Sequence, residues 1–118
     1  MIIDKTMITA SLIENITYKD NGPAISVLLQ TKTSKEIRIV MKKGQLMKEH
    51  KAPFPIVVQV FEGAIDFGVS GTKKTLKKGD LIALDENVPH DLTCIENCIV
   101  RLSISHMDTA DRVKNIVK

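Results

Sequence analysis

The sequence has no tryptophan, one tyrosine and three phenylalanines among 118 residues. Its core must therefore be built from Val, Ile, Leu and Met, and it has few rings on which nucleic-acid bases would stack. Only two cysteines occur, Cys94 and Cys98, too few for a disulfide framework. They lack a second pair at zinc-binding spacing and read as free, partly buried thiols. No apolar run approaches the roughly 20 residues that a membrane span requires. The opening Met1-Ile2-Ile3-Asp4-Lys5 lacks the basic-then-apolar order of a secretory leader. A cytoplasmic location is expected by default. Charge of one sign is not in large excess either: the formal net charge is +3, too small to indicate a nucleic-acid partner. The tightest basic group, Lys73, Lys74, Lys77 and Lys78, reads as a solvated hairpin.

What remains is an ordinary globular composition, 43% hydrophobic and 26% charged, which excludes intrinsic disorder. The length suits one domain spanning residues 1–118. Gly and Pro cut the chain into pieces of about 5–9 residues, the length of strands. The strand-like runs are Ile25–Thr31, Glu36–Lys42, Ile56–Phe61, Ile65–Val69, Leu81–Leu84, His90–Ile95 and Cys98–Ser105. Alternation supports the reading. Ile37, Ile39 and Met41 fall on one face, with Glu36, Arg38 and Lys42 on the other. Val100, Leu102 and Ile104 oppose Arg101, Ser103 and Ser105. The run at 56–61 is apolar on both faces apart from Gln59, which predicts a central strand covered on both sides, with the barrel core on one and a subunit partner as a candidate for the other. Glu96-Asn97 reads as a turn. A short C-terminal helix is expected at about 108–117, with Asp108 as N-cap, Asp111 in its first turn, and Val113, Ile116 and Val117 as its apolar stripe. The pattern as a whole predicts an all-β sandwich or barrel with one short helix.

Two segments carry a family likeness. Residues 44–63 contain Gly44-Gln45-Leu46-Met47-Lys48-Glu49-His50 and close on Gly63; residues 79–94 run from Gly79-Asp80 to Pro89-His90. The first resembles the opening motif of the cupins, G-x5-H-x-H-x3-E-x6-G, with Gly44, His50 and Gly63 in place. The second resembles their closing motif. The chain is thus similar to small single-domain bacterial cupins of the RmlC-like superfamily, in particular a subgroup with no assigned reaction. The resemblance implies a double-stranded β-helix, the cupin jelly-roll barrel.

The same resemblance implies a pocket and raises a question about metal. A full cupin site places three histidines and a glutamate around one divalent metal. Here Ala52 stands at the second histidine position and Ile56 at the glutamate position, so only His50 and His90 remain. Two imidazoles seldom retain a transition metal without a third protein ligand. A third ligand would come from Gln59, which needs a bulge to reach the pocket, from His106, which lies at the end of its strand, or from water. With a third ligand the metal would be Fe, Mn, Ni, Cu or Zn.

Three functions follow. The leading one is binding of a small organic ligand in a pocket lined by Ile56, Val58, Val60, Leu92, Ile104 and Met47, with His50 and His90 as polar handles. The second is a metal-dependent enzyme of dioxygenase or isomerase type. The third is a non-catalytic dimeric interaction module. A homodimer is expected under all three, because the doubly apolar strand at 56–61 and the amphipathic C-terminal helix both require cover. Cys94 shares parity with His90 and Leu92 and reads as a small core residue or a thiol at the same pocket. Met41, Met47 and Met107 read as core or rim filler. Glu49, Asp66 and Asp91 point away from the pocket by parity, so no carboxylate accompanies the histidines.

Overall fold

The structure is a computed structural model, and it describes residues 6–116. Seven strands and one helix follow in order: β1 (Ala24–Gln30), β2 (Ser34–Met41), β3 (Leu46–His50), β4 (Ile56–Val69), β5 (Thr72–Lys77), β6 (Leu81–Leu84), β7 (His90–Ser105) and α1 (Ala110–Asn115). Every strand pairing is antiparallel. No helix among the described residues is long and apolar enough to cross a membrane.

Two long strands organise the barrel. The runs expected at 56–61 and 65–69 are one strand, β4, and those at 90–95 and 98–105 are another, β7. The expected turn at Glu96-Asn97 is therefore continuous strand. Each long strand serves two sheets. The first half of β7 pairs with β3 and with the end of β4, whose other neighbour is β5. The second half of β7 pairs with β2 and with the start of β4, whose other neighbour is β6; β1 pairs with β2. This is the double-stranded β-helix that the motifs imply. The bend falls where the register slips between Val60 and Ile65. Gly63 sits there with φ +80°, and a Cβ on it would lie 2.3 Å from the Asn97 carbonyl oxygen of β7. Only glycine lets the strands approach so closely in that conformation.

The core is aliphatic, as the shortage of aromatics requires. Ile37, Ile39 and Met41 are buried on the inner face of β2, and Val100, Leu102 and Ile104 on that of β7. In the first half of β4, Ile56, Val58 and Val60 are buried, while Val57 on the opposite face is 38% exposed and Gln59 is half-buried. Within the single chain, residues 56–60 are covered by the core on one side. The lysine-rich segment is an edge strand, β5, with Leu76 buried and its lysines in water; lysines on an edge discourage pairing with further strands.

Arg38 also departs from expectation, being 8% exposed. The segment before β1 lies over it. Its Nη1 donates to the carbonyls of Glu14 at 2.8 Å and of Ser11 and Leu12 at 3.3 and 3.4 Å, and Nη2 to that of Asn15 at 3.3 Å. Asn15 has φ 56°, and the turn it makes presents these carbonyls together. The guanidinium is a clamp that binds the amino-terminal segment to the outer face of the sheet.

Helix α1 is shorter than expected. Its N-cap is Thr109, whose hydroxyl accepts from the Arg112 amide at 3.1 Å, in place of Asp108. Asp108 is instead buried and holds Arg112 through two contacts of 2.7 Å. Val113 and Ile116 are buried as the stripe requires, while Val117 lies outside the described residues.

Candidate functional site

Strands β3 and β7 bring the two histidines together. His50 ends β3, His90 begins β7, and the two are cross-strand partners. A register slip between Met47 and His50 turns the end of β3. The ring centroids stand 4.2 Å apart at an interplanar angle of 64°, edge to face. Phe67 of β4 stacks on His90, at 5.5 Å and 11°. The spacing between the motifs thus becomes a pair of imidazoles braced by one of the three phenylalanines.

Each ring is fixed by a carbonyl two residues before it in the chain. His50 Nδ1 lies 2.6 Å from the Lys48 oxygen, and His90 Nδ1 lies 2.9 Å from the Val88 oxygen. A carbonyl only accepts, so Nδ1 carries the proton on both neutral rings and Nε2 keeps its lone pair. Neither Nε2 has a hydrogen-bond partner among the described residues. Burial holds the His50 pKa at about 4, opposed by its bond to Lys48, and burial also lowers that of His90. The Arg112 guanidinium adds to the lowering of both. At neutral pH the site therefore presents two uncharged acceptors.

The cavity at this pair is lined by Met47, Ile56, Val58 and Leu92, together with Ile39, Val100 and Leu102 of the inner sheet faces. Its remaining wall is α1, through Arg112, Val113 and Ile116. The free space is about 20 Å³. That is room for about one water molecule and for no organic ligand.

Four candidate residues lie elsewhere. Val60 is buried in the core away from the cavity. Ile104 is buried beside an open groove of about 550 Å³ at the barrel end, which it shares with Ile56, Val57 and Leu84. Gln59 belongs to the outer face with Val57, Leu81, Arg101 and Ser103, because the slips in β4 come after it, too late to change its parity. His106 is exposed in the turn after β7, with Nδ1 3.4 Å from the Thr33 oxygen. Cys94 also turns from the cavity: its thiol donates to the Glu96 carbonyl at 3.0 Å, and both cysteines are free and buried. Met107 is exposed, whereas Met41 and Met47 are core.

Arg112, Val113 and Ile116 are the site residues that the motifs do not reveal. The apolar stripe showed that α1 must dock, and nothing in it named the surface. Alternation had already placed Ile39, Val100 and Leu102 inward, so their presence was legible.

The donor set does not fit the metal of a full cupin site. Ala52 and Ile56 are buried at the two substituted positions. No group of three or more His, Cys, Asp or Glu gathers anywhere among the described residues. With Gln59 and His106 directed elsewhere, two imidazole nitrogens fall short of the three protein ligands that hold a catalytic metal.

No family model matches the chain, and no curated protein sequence does. Solved structures do. An RmlC-like cupin protein from Desulfovibrio desulfuricans superposes with a TM-score of 0.77 at 19% identity, over 84% of this chain and 96% of that one. An RmlC-like cupin from Shewanella frigidimarina gives 0.71 at 24% identity, over 84% and 91%. A cupin 2 conserved barrel domain protein from Leptotrichia buccalis gives 0.70 at 26% identity, over 78% of this chain and 45% of that longer one. Strand order, the two motifs and these superpositions agree: the chain has the cupin fold, a double-stranded β-helix.

Proposed function

We propose that this cupin binds a small organic ligand at the His50–His90 pair, without a resident metal. The observation that carries the reading is the pair itself. Two neutral rings are locked by carbonyls so that each holds an unpartnered Nε2 acceptor within aliphatic walls. A ligand suited to them has an apolar body and a hydroxyl or N–H group that donates to Nε2. The substitutions Ala52 and Ile56 support the same reading, since they put apolar surface where an imidazole and a carboxylate would hold a metal.

One observation favours a second reading. A ring with Nδ1 tied back to a carbonyl is also how metal-binding histidines are oriented. A metal-dependent enzyme would complete its set with solvent or substrate. A fragment screen by NMR, on protein with isotope-labelled histidines, separates the two. The expected outcome is that bound fragments shift the Nε2 signals of both rings, and that His50→Ala with His90→Ala abolishes binding. Near-stoichiometric metal that survives dialysis and is lost in His50→Ala would overturn the metal-free reading.

The chain is also proposed to form a homodimer through the outer face of β4 and β6. Val57 is 38% and Leu81 61% exposed there. Arg101 beside them is already paired with Glu36 of the same chain at 2.9 Å, so burying this face against a second copy leaves that charge neutralised.

A further inference from the structure

The walls of the His50–His90 cavity are not held alike. Met47, Ile56, Val58 and Leu92 stand on strands whose backbones are paired with neighbouring strands. Helix α1 has no backbone hydrogen bond to any strand among the described residues. It is six residues long, and isolated helices shorter than about 12–15 residues are marginal in water. What keeps it in place is the Thr109 cap, the Asp108–Arg112 pair, the bond from Lys35 Nζ to the Asp108 carbonyl at 2.5 Å, and two inserted side chains. Those are Val113, 1% exposed, and Ile116, 9% exposed. They fill the space facing the rings and leave about 20 Å³.

We infer that α1 is an internal occupant of the ligand site, which a ligand must displace. The inference rests on the ligand-binding reading above and adds to it both a gate and a ligand class. Withdrawal of α1 vacates the volume of two branched aliphatic side chains, so the ligand carries an apolar group of that size next to its donor. Arg112 leaves with the helix, and its positive charge leaves the rings. Because only the withdrawn state is competent, the affinity observed is the intrinsic affinity reduced by the fraction withdrawn. The intact chain therefore binds weakly, and anything that draws α1 onto another surface opens the barrel.

The test uses the full chain and anilinonaphthalene sulfonate, an amphiphilic fluorophore with an apolar ring system, one N–H donor and a sulfonate. Val113→Asp is expected to free the amides of Ala110–Asn115 to exchange, to leave β2, β4 and β7 protected, and to tighten probe binding at least about tenfold by removing the closed fraction. Should that variant fail to fold, the wild-type chain supplies the same information. Saturating probe is expected to lower protection in α1 while shifting the ring signals of His50 and His90. Ring shifts with α1 protection unchanged or raised would overturn the gate and leave the ligand site standing. A freed helix with no ring shift in either protein would overturn the ligand site, and the gate with it.

Discussion

Replacing Gly63 with alanine tests the point on which the barrel turns. Two costs arise there. At φ +80° an L-residue pays about 1–2 kcal/mol for the left-handed conformation. The new Cβ would also stand 2.3 Å from the Asn97 oxygen and 2.7 Å from the Glu96 oxygen, both in the backbone of β7. Ordinary carbon–oxygen contacts are about 3.3–3.6 Å, so β4 and β7 would have to part by about 1 Å. Overpacking of that kind costs about 1–3 kcal/mol. The sum is about 2–5 kcal/mol, a large share of the roughly 5–15 kcal/mol that holds a domain folded. Gly44 is the control. Its φ is +91°, but nothing lies within 4 Å of its Cβ position, so Gly44→Ala meets the conformational cost alone. At about 4 °C per kcal/mol, thermal unfolding should fall by about 8–20 °C for Gly63→Ala and about 4–8 °C for Gly44→Ala. Differential scanning calorimetry of the two variants beside the wild type reads this directly. Equal losses would refute the argument that strand approach, rather than φ, fixes glycine at 63.

Four other outcomes are expected. Stability should fall as pH drops from about 6.5 toward about 4, because the unfolded chain protonates His50 and His90 in that window while burial keeps the folded rings neutral; urea midpoints across pH should show the slope, and His50→Gln should flatten it. Phe67→Ala removes a side chain 1% exposed and should cost about 3–5 kcal/mol by urea unfolding, with the His90 ring signals broadened as it loses its stacking partner. Arg38→Leu should raise amide exchange in and around residues 11–15 far more than in β2, since the guanidinium holds that segment by its carbonyls alone; equal exchange across both would refute the clamp. Light scattering over a concentration series should find a dimer that Leu81→Glu converts to monomer, and a wild-type monomer throughout would refute the proposed interface.

Much of this protein was legible in its sequence. Alternation alone assigned the inner faces of β2 and β7, because a strand has only two faces and water selects the polar one. The two motifs placed His50 and His90 at one site, and the substitutions at 52 and 56 foretold a reduced donor set. Local patterns failed where a neighbour supplied the deciding contact. Arg38 reads as a surface residue until a distant turn lays four carbonyls over it. Glu96-Asn97 reads as a turn because the pair is polar, yet it continues a strand, since the ladder with β4 extends on both sides of it. Gln59 needed a shift of parity to face inward, and only the pairing register shows that the slips come after it.

Sequence determined most of the strands and their inner faces, because period-two burial and turn chemistry act over a few residues at a time, and the choice of barrel over sandwich came from the resemblance of its two motifs. Tertiary structure decided which surface receives the C-terminal helix. An apolar stripe specifies burial without specifying a partner, and only the assembled barrel shows that Val113 and Ile116 fill the cavity in front of the two imidazoles.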